Sequence, residues 1–197
     1  SDYDDAAAAY AAVGAALAVV DFRGYGESSG VPTLRALVDD VGAVVAAVAA
    51  RTRLPLIVMG RSLGSLCAAE VCGSGDADVG AVVDGVVIES GIARLSGLIE
   101  RRGLPVPTAS GGAPAMRAAQ DPLAKLARGR RPLLVLHGER DTIIDVAEGQ
   151  QLYDASTSPQ KTLCRLPGRG HNDVSGARAY WDALRAFVDR TADRPAP

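Results

Sequence analysis

Short apolar runs rich in branched aliphatic residues punctuate the chain, and longer stretches with helical periodicity separate them. Runs of this length and near-continuous apolarity predict strands that are buried on both faces. Their alternation with helices predicts an α/β fold, with a mostly parallel sheet and helices on both of its faces. The predicted strands cover residues 16–22, 56–59, 85–89, 133–137 and 162–166.

The predicted helices follow from apolar residues at helical spacing. Residues 34–50 carry one apolar stripe, and Thr33 is suited to begin that helix. A second helix follows Ser62 and ends near residue 73. A last helix carries an apolar face that includes Trp181, which we expect in the core, and either Ser175 or Asp173 is its predicted cap.

The composition is that of an ordinary globular protein, with 48% hydrophobic residues, 22% charged residues and a formal net charge of −2 over 197 residues. This length suffices for one domain with its own core. The near-neutral balance offers no electrostatic attraction for nucleic acid or for an anionic membrane surface. No apolar run approaches the roughly 20 residues needed to span a bilayer, so we expect no membrane span in this chain.

Three cysteines and two histidines leave little scope for disulfide or metal chemistry. The odd number of cysteines and the apolar surroundings of Cys67, Cys72 and Cys164 favour free core thiols in a reducing, cytoplasmic compartment. His137 and His171 are too few to indicate a zinc site, so we expect no bound metal.

The segment Gly-Arg-Ser-Leu-Gly at 60–64 places a serine between a predicted strand and a predicted helix. This is the G-x-S-x-G pattern of a nucleophile elbow, in the strand–turn–helix context that gives it chemical meaning. So sharp a turn requires small residues two positions before and two positions after the serine. The pattern predicts Ser62 as the nucleophile and the backbone N–H of Leu63 as an oxyanion donor at a helix start.

Two later loops supply the acid and the base that such a serine needs. Asp141 follows the predicted strand 133–137, and His171 follows the predicted strand 162–166. Both therefore lie at the edge of the sheet that carries Ser62. The chain order Ser, Asp, His is a known order of the serine triad, so we predict Asp141 as the acid and His171 as the base.

Other residues compete for both roles. His137 is the rival base, but its position at the end of a strand favours a packed, structural ring. Glu139 and Asp145 flank Asp141 as rival acids. Asp145 is better placed as the N-cap of the next helix, and Glu139 is typical of a solvated loop charge.

Four segments in this order resemble the α/β-hydrolase superfamily, in particular the branch of the Bem46-like proteins and the depalmitoylases of the α/β-hydrolase-domain type. The resemblance extends over nearly the whole chain and implies a serine hydrolase that needs no cofactor and cleaves ester, thioester or related acyl bonds. It also implies structural roles for Asp21 and Arg23. The four segments are Asp-Phe-Arg-Gly-Tyr-Gly-Glu-Ser-Ser-Gly at 21–30, the segment 60–64, residues 137–145 and Gly-His-Asn-Asp at 170–173.

The resemblance further implies a segment that precedes residue 1. Related proteins carry a His-Gly-Asn-Gly-like segment whose backbone supplies the second oxyanion donor, and its strand would lie between the predicted strands 16–22 and 56–59. Without it, those two strands would lie roughly 9.6 Å apart. We therefore expect residues 1–197 to form one α/β-hydrolase domain that lacks about 60 to 100 N-terminal residues, with 91–131 as a short lid-like excursion.

Two other functions fit the same residues. One is a catalytically silent binding module, which a complete triad disfavours, and the other is an acyltransferase or peptidase with the same acyl-enzyme. The short 91–131 region predicts an open site for small-molecule or acyl-protein substrates. Arg61 and Ser90 either line that site or are structural.

Overall fold

The computed structural model of the chain describes residues 2–74, 79, 82–102 and 121–192. Within this part, four strands form one sheet in the order β1-β2-β3-β4, and every neighbouring pair is parallel. The predicted parallel sheet is therefore confirmed. The strands are β1 (Ile57–Arg61), β2 (Gly85–Glu89), β3 (Leu133–Gly138) and β4 (Lys161–Leu166).

Helices connect the strands and flank the sheet. One short 3₁₀ turn, Ser62–Gly64, follows β1, and a second, Val174–Gly176, precedes the last helix. The described α-helices are α1 (Asp2–Ala12), α2 (Leu34–Asp39), α3 (Val41–Ala49), α4 (Ser65–Gly73), α5 (Leu95–Arg102), α6 (Pro122–Leu126), α7 (Val146–Ala155) and α8 (Arg178–Ala192).

The helices cover both faces of the sheet, as expected. On one face, side chains of α3, α4, α6 and α7 pack against Val86 and Ile88 of β2. On the other face, α1 and α8 pack against Val87 of β2 and Leu134 of β3. Every residue of β2 and β3 is buried, which explains why these strands are continuous apolar runs rather than alternating ones.

The prediction of a strand at 16–22 is wrong. These residues belong to no strand of the described sheet, and Leu17, Val19 and Phe22 are between 36% and 51% exposed. An apolar run becomes a strand only when a neighbour satisfies its backbone groups. Among the described residues, β1 hydrogen-bonds to β2 and forms the edge of the sheet, so no strand lies beside 16–22. The expected N-terminal incompleteness stays a prediction.

Two helix predictions also need correction. The expected helix over 34–50 is divided at Asp40, whose carboxylate binds the Arg23 guanidinium, with Nε 2.8 Å from Oδ2. The Thr33 hydroxyl accepts a hydrogen bond from the Ala36 N–H, as predicted for the helix start. The last helix begins only at Arg178, because residues 174–176 form a separate 3₁₀ turn, so neither predicted cap is correct.

Only part of the predicted lid-like region belongs to the residues that the structure describes. Of the lid-like region 91–131, residues 103–120 lie outside the described part, and α5 and α6 flank them.

Cys67 and Cys72 are buried and free, and burial raises the pKa of each thiol to about 11. None of the described helices is both long and apolar enough to cross a membrane.

Candidate active site

Ser62 lies on a sharp turn between β1 and α4. Its φ of 51° is in the left-handed region that side chains other than glycine rarely adopt. A Cβ added at Gly60 would lie 2.2 Å from the Gly64 carbonyl oxygen. The strand and the start of the helix therefore approach so closely that only glycine fits at position 60, as the sequence predicted.

Gly64 does not share this steric reason. A Cβ added there would meet no atom of the described residues within 4 Å, and its backbone is in the ordinary helical region, with φ −61° and ψ −17°. The prediction that both flanking positions must be small is correct for Gly60 and wrong for Gly64 within the described structure. The backbone of Gly64 is what lies close to Gly60, and a side chain at position 64 would not disturb this contact.

The side chains predicted to form the triad meet at the carboxyl edge of the sheet. His171 Nε2 lies 3.0 Å from Ser62 Oγ, and His171 Nδ1 lies 2.7 Å from Asp141 Oδ2. The three residues follow β1, β3 and β4, which the parallel topology brings to one edge. Ser62 and His171 are 109 positions apart in the sequence, and the fold brings their side chains into contact.

The environment of Asp141 keeps its carboxylate ionised. Burial alone would raise its pKa, but hydrogen bonds from the Ile144 N–H, the His171 ring and the Ile143 N–H hold the pKa of Asp141 below its usual range. Both backbone N–H groups donate to Oδ1 over 2.9 Å. An ionised carboxylate only accepts, so His171 Nδ1 donates to it; in a neutral imidazole of this tautomer, Nε2 is the nitrogen that accepts from the Ser62 hydroxyl.

The rival residues take structural positions. The His137 ring is fully buried, and its Nε2 donates to the Ile144 carbonyl over 2.9 Å. A Cβ added at Gly149 would lie 2.6 Å from His137 Nδ1, so α7 packs directly on the ring. The Asp145 carboxylate caps α7 by accepting from the Ala147 N–H over 2.8 Å. Both structural interpretations are confirmed.

The loop at 21–30 is held by its own polar groups. The Ser28 hydroxyl donates to the Asp21 carbonyl over 2.8 Å, and the Glu27 N–H donates to the Asp21 carboxylate over 3.4 Å. Arg23 connects this loop to the α2–α3 junction through Asp40. These contacts agree with the structural roles that the resemblance implied for Asp21 and Arg23.

Sequence reasoning considered Arg61 as a site or structural residue but missed its partner Glu89 and the Tyr180 hydroxyl that Glu89 accepts from. Arg61 Nε lies 2.9 Å from Glu89 Oε1, and Arg61 Nη2 donates to the His171 carbonyl and to Asn172 Oδ1. Tyr180 donates to the other Glu89 oxygen. The available signal was a carboxylate that ends the otherwise apolar run of β2, because a carboxylate in a buried strand needs partners. Ser90, the next residue, is fully buried and therefore lines no open surface.

The comparisons with known proteins agree with this architecture. A protein-family model described as serine aminopeptidase, S33, matches residues 1–103 and 97–175. These two matches together extend over most of the chain, including every strand described above.

Curated relatives and solved structures are also similar. The α/β-hydrolase domain-containing protein aho-3 of Caenorhabditis elegans is 29% identical over 175 residues, which is 87% of this chain and 48% of that protein. The human α/β-hydrolase domain-containing protein 17B is 27% identical over 86% of this chain and 55% of that protein. The chain thus spans about half the length of these relatives.

The esterase domain of a Rhodothermus marinus protein has a similar fold. The two superpose with a TM-score of 0.69 at 21% sequence identity, and the match covers 95% of this chain and 79% of the esterase domain's chain. At this level of identity the likeness concerns the fold, which is the parallel sheet with helices on both faces.

Proposed function

Because the chain belongs to the serine aminopeptidase family within the α/β-hydrolase superfamily, we propose that it is a serine hydrolase of ester, thioester or related acyl bonds. The observation that carries the proposal is the relay from Asp141 through His171 to Ser62, with contacts of 2.7 and 3.0 Å. The 3.0 Å contact is short enough for His171 to take the Ser62 proton without rearrangement, and the 2.7 Å contact with Asp141 orients the imidazole.

The proposed mechanism is acyl transfer to water. His171 Nε2 takes the hydroxyl proton while Ser62 Oγ forms a bond to the carbonyl carbon of the substrate. Asp141 stabilises the imidazolium that results. His171 then gives the proton to the leaving alcohol or thiol as its bond to carbon breaks. Water, deprotonated in turn by His171, hydrolyses the acyl-enzyme and restores the Ser62 hydroxyl.

The oxyanion of each tetrahedral intermediate needs backbone donors. We assign the first to the Leu63 N–H, because the turn after Ser62 leads directly into a helix and the positive end of a helix favours developing negative charge. The family resemblance implies that a second backbone N–H completes the oxyanion site beside Leu63. No step of this scheme draws on a cofactor.

Hydrolysis of small chromogenic esters and acyl thioesters by the full-length protein tests the proposal. Replacing Ser62 with Ala removes the nucleophile, so kcat/KM should fall by about 10³-fold or more. Ser175→Ala is the matched control, since Ser175 is exposed on the turn before α8 and should leave kcat/KM unchanged. Undiminished hydrolysis by the Ser62→Ala variant would show that another residue is the nucleophile.

The leaving group and the acceptor separate this proposal from its alternatives. The family description names an aminopeptidase, and an acyltransferase would form the same acyl-enzyme. We expect aminoacyl p-nitroanilides to react more slowly than esters of the same acyl group, and added alcohols or thiols to capture little of the acyl product. Preferential anilide cleavage would instead favour a peptidase, and dominant capture an acyltransferase.

A further inference from the structure

We propose that Arg61 is a positioning residue for the catalytic base, because its guanidinium connects the nucleophile turn to the loop that carries His171. Glu89 is the buried anchor that orients this guanidinium. The inference rests on the proposed function, since it assigns a role in the reaction of Ser62. The described side-chain contacts of Arg61 are with Glu89, the His171 carbonyl and Asn172, and not with Ser62 Oγ or the His171 ring.

The contacts of Arg61 join three separate parts of the chain. Arg61 directly precedes Ser62 and ends β1. Its Nε lies 2.9 Å from Glu89 Oε1 at the end of β2. Its Nη2 donates to the His171 carbonyl over 3.2 Å and to Asn172 Oδ1 over 2.7 Å. One planar group therefore connects the nucleophile turn, the neighbouring strand and the loop of the base.

Glu89 is well suited to hold the guanidinium in one orientation. Its side chain is only 6% exposed, and its second oxygen accepts from the Tyr180 hydroxyl over 2.8 Å. The Tyr180 hydroxyl also lies 3.2 Å from the Tyr10 hydroxyl, so the carboxylate is fixed to α8 and, through it, to α1. With Nε committed to Glu89, the planar geometry of the guanidinium directs Nη2 toward the loop.

The loop of the base is held on its other side by β3. The Arg140 N–H donates to the Arg169 carbonyl over 2.7 Å, and a Cβ added at Gly138 would lie 2.5 Å from the Gly170 carbonyl oxygen. These contacts fix residues 169–170 close to Asp141. Arg61 holds the next two residues from the Ser62 side. The loop that carries the imidazole is thus held on one side by the residues at the end of β3 and on the other by Arg61 at the end of β1. Arg61 sets the distance between the His171 ring and Ser62 Oγ.

Arginine is suited to this role in a way that lysine is not. The guanidinium makes its contacts through two different nitrogens that point in different directions. A lysine ammonium keeps the charge but is a single point on a flexible stem, so it cannot meet Glu89 and the loop in the same fixed geometry. Arg61→Lys therefore separates the effect of positive charge from the effect of positioning.

The rate of covalent labelling by a fluorophosphonate tests the proposal in the full-length protein. In that reaction Ser62 Oγ bonds to phosphorus, His171 takes the hydroxyl proton, and fluoride leaves as the P–F bond breaks. We expect the labelling rate constant of Arg61→Lys to fall about tenfold to hundredfold, because a small misplacement of a catalytic group has effects of this size. Labelling should still proceed to one adduct per chain, since the nucleophile and base remain present.

Three further variants sharpen the test. Asn172 is exposed, so Asn172→Ala leaves the core intact, and we expect its labelling rate constant to fall about threefold to tenfold. The double variant should be no slower than Arg61→Lys alone, because the two residues share one contact. Arg178→Lys is the matched control, since Arg178 is 93% exposed and contacts only the nearby Asp182 among the described carboxylates. Its labelling rate should not change.

The outcomes are distinguishable. A labelled wild-type protein with an unchanged rate constant for Arg61→Lys and for Asn172→Ala would overturn the positioning role alone. A fall in the final amount of label at an unchanged rate constant would also overturn it, because that result means loss of folded protein. A wild-type protein that takes no label would overturn the proposed function, and this inference with it.

Discussion

Asp141 lies between two imidazole rings, and only one of them reaches the nucleophile. Its Oδ2 is 2.7 Å from His171 Nδ1 and 3.5 Å from His137 Nε2, while its Oδ1 accepts two backbone N–H groups. The buried His137 ring is committed to the Ile144 carbonyl. The same loop backbone thus fixes the acid and the structural histidine, which leaves Asp141 ionised and directed at His171.

The pH dependence of stability tests this account of Asp141. Its pKa is lowered in the folded state, so the ionised carboxylate stabilises the fold above about pH 4, and this contribution is lost as pH falls through the lower folded pKa. Asp141→Asn should therefore reduce the free energy of unfolding most near neutral pH and progressively less on acidification. Urea unfolding between pH 3 and 7 measures the difference.

Asp182→Asn is the control for that experiment. The Asp182 side chain is 64% exposed on α8, where an ion pair contributes little to stability. A difference between Asp141→Asn and wild type that stays constant over the whole pH range would contradict the assigned environment of Asp141.

That Ser62, Asp141 and His171 meet could be predicted from the sequence, but the contacts of the residues around them could not. The order Ser, Asp, His and the position of each residue after a predicted strand indicated this meeting without any distance. The contact of Arg61 with Asn172 joins residues 111 positions apart, and neither of the two segments that contain them indicates that their side chains meet. Glu89 carried a signal, as a carboxylate in a buried strand, but the sequence does not say which cation or hydroxyl it meets.

At the scale of elements, the turn between β1 and α4 decides whether Ser62 can adopt its positive φ. The turn requires the end of the strand and the first helical residues to be in van der Waals contact. Gly60 makes this contact possible, because any side chain there would overlap the Gly64 backbone and the Ala68 side chain. Gly64 contributes its backbone alone.

Alanine at these two glycines gives a matched prediction. Gly60→Ala should lower the free energy of unfolding by about 1–3 kcal/mol through overpacking, or by more if the turn cannot shift. Gly64→Ala should be neutral or stabilising by up to about 1 kcal/mol, because position 64 is helical and sterically open. Urea unfolding of both variants measures the contrast. Equal losses at the two positions would contradict the described geometry of the turn.

The elements differ in how well their sequences predicted them. The strands β2, β3 and β4 were located within one residue. For β2 and β3 the reason is that buried parallel strands are apolar on both faces, whereas β4 lies at the edge of the described sheet and is only partly buried. Residues 16–22 carry the same pattern without forming a strand, since pairing depends on a neighbour and not on the run itself. The break between α2 and α3 was hidden, because the apolar stripe continues across Asp40, whose partner Arg23 is distant in sequence.

At the scale of the whole molecule, the layered fold converts distant sequence positions into one site. Parallel strands place the ends of β1, β3 and β4 at one edge, and helices on both faces bury the sheet up to that edge. The core thereby fixes three loops whose backbones contact one another. This is why a chemistry that needs ångström precision can be carried by loops.

We propose that Ser62 is a nucleophile activated by His171. Mass spectrometry of the full-length protein after reaction with a fluorophosphonate tests this proposal directly. We predict one adduct per chain, located on the peptide that contains Ser62, and none when His171 is replaced by Ala. An unmodified Ser62 in the wild-type protein, with or without an adduct on another residue, would contradict the claim.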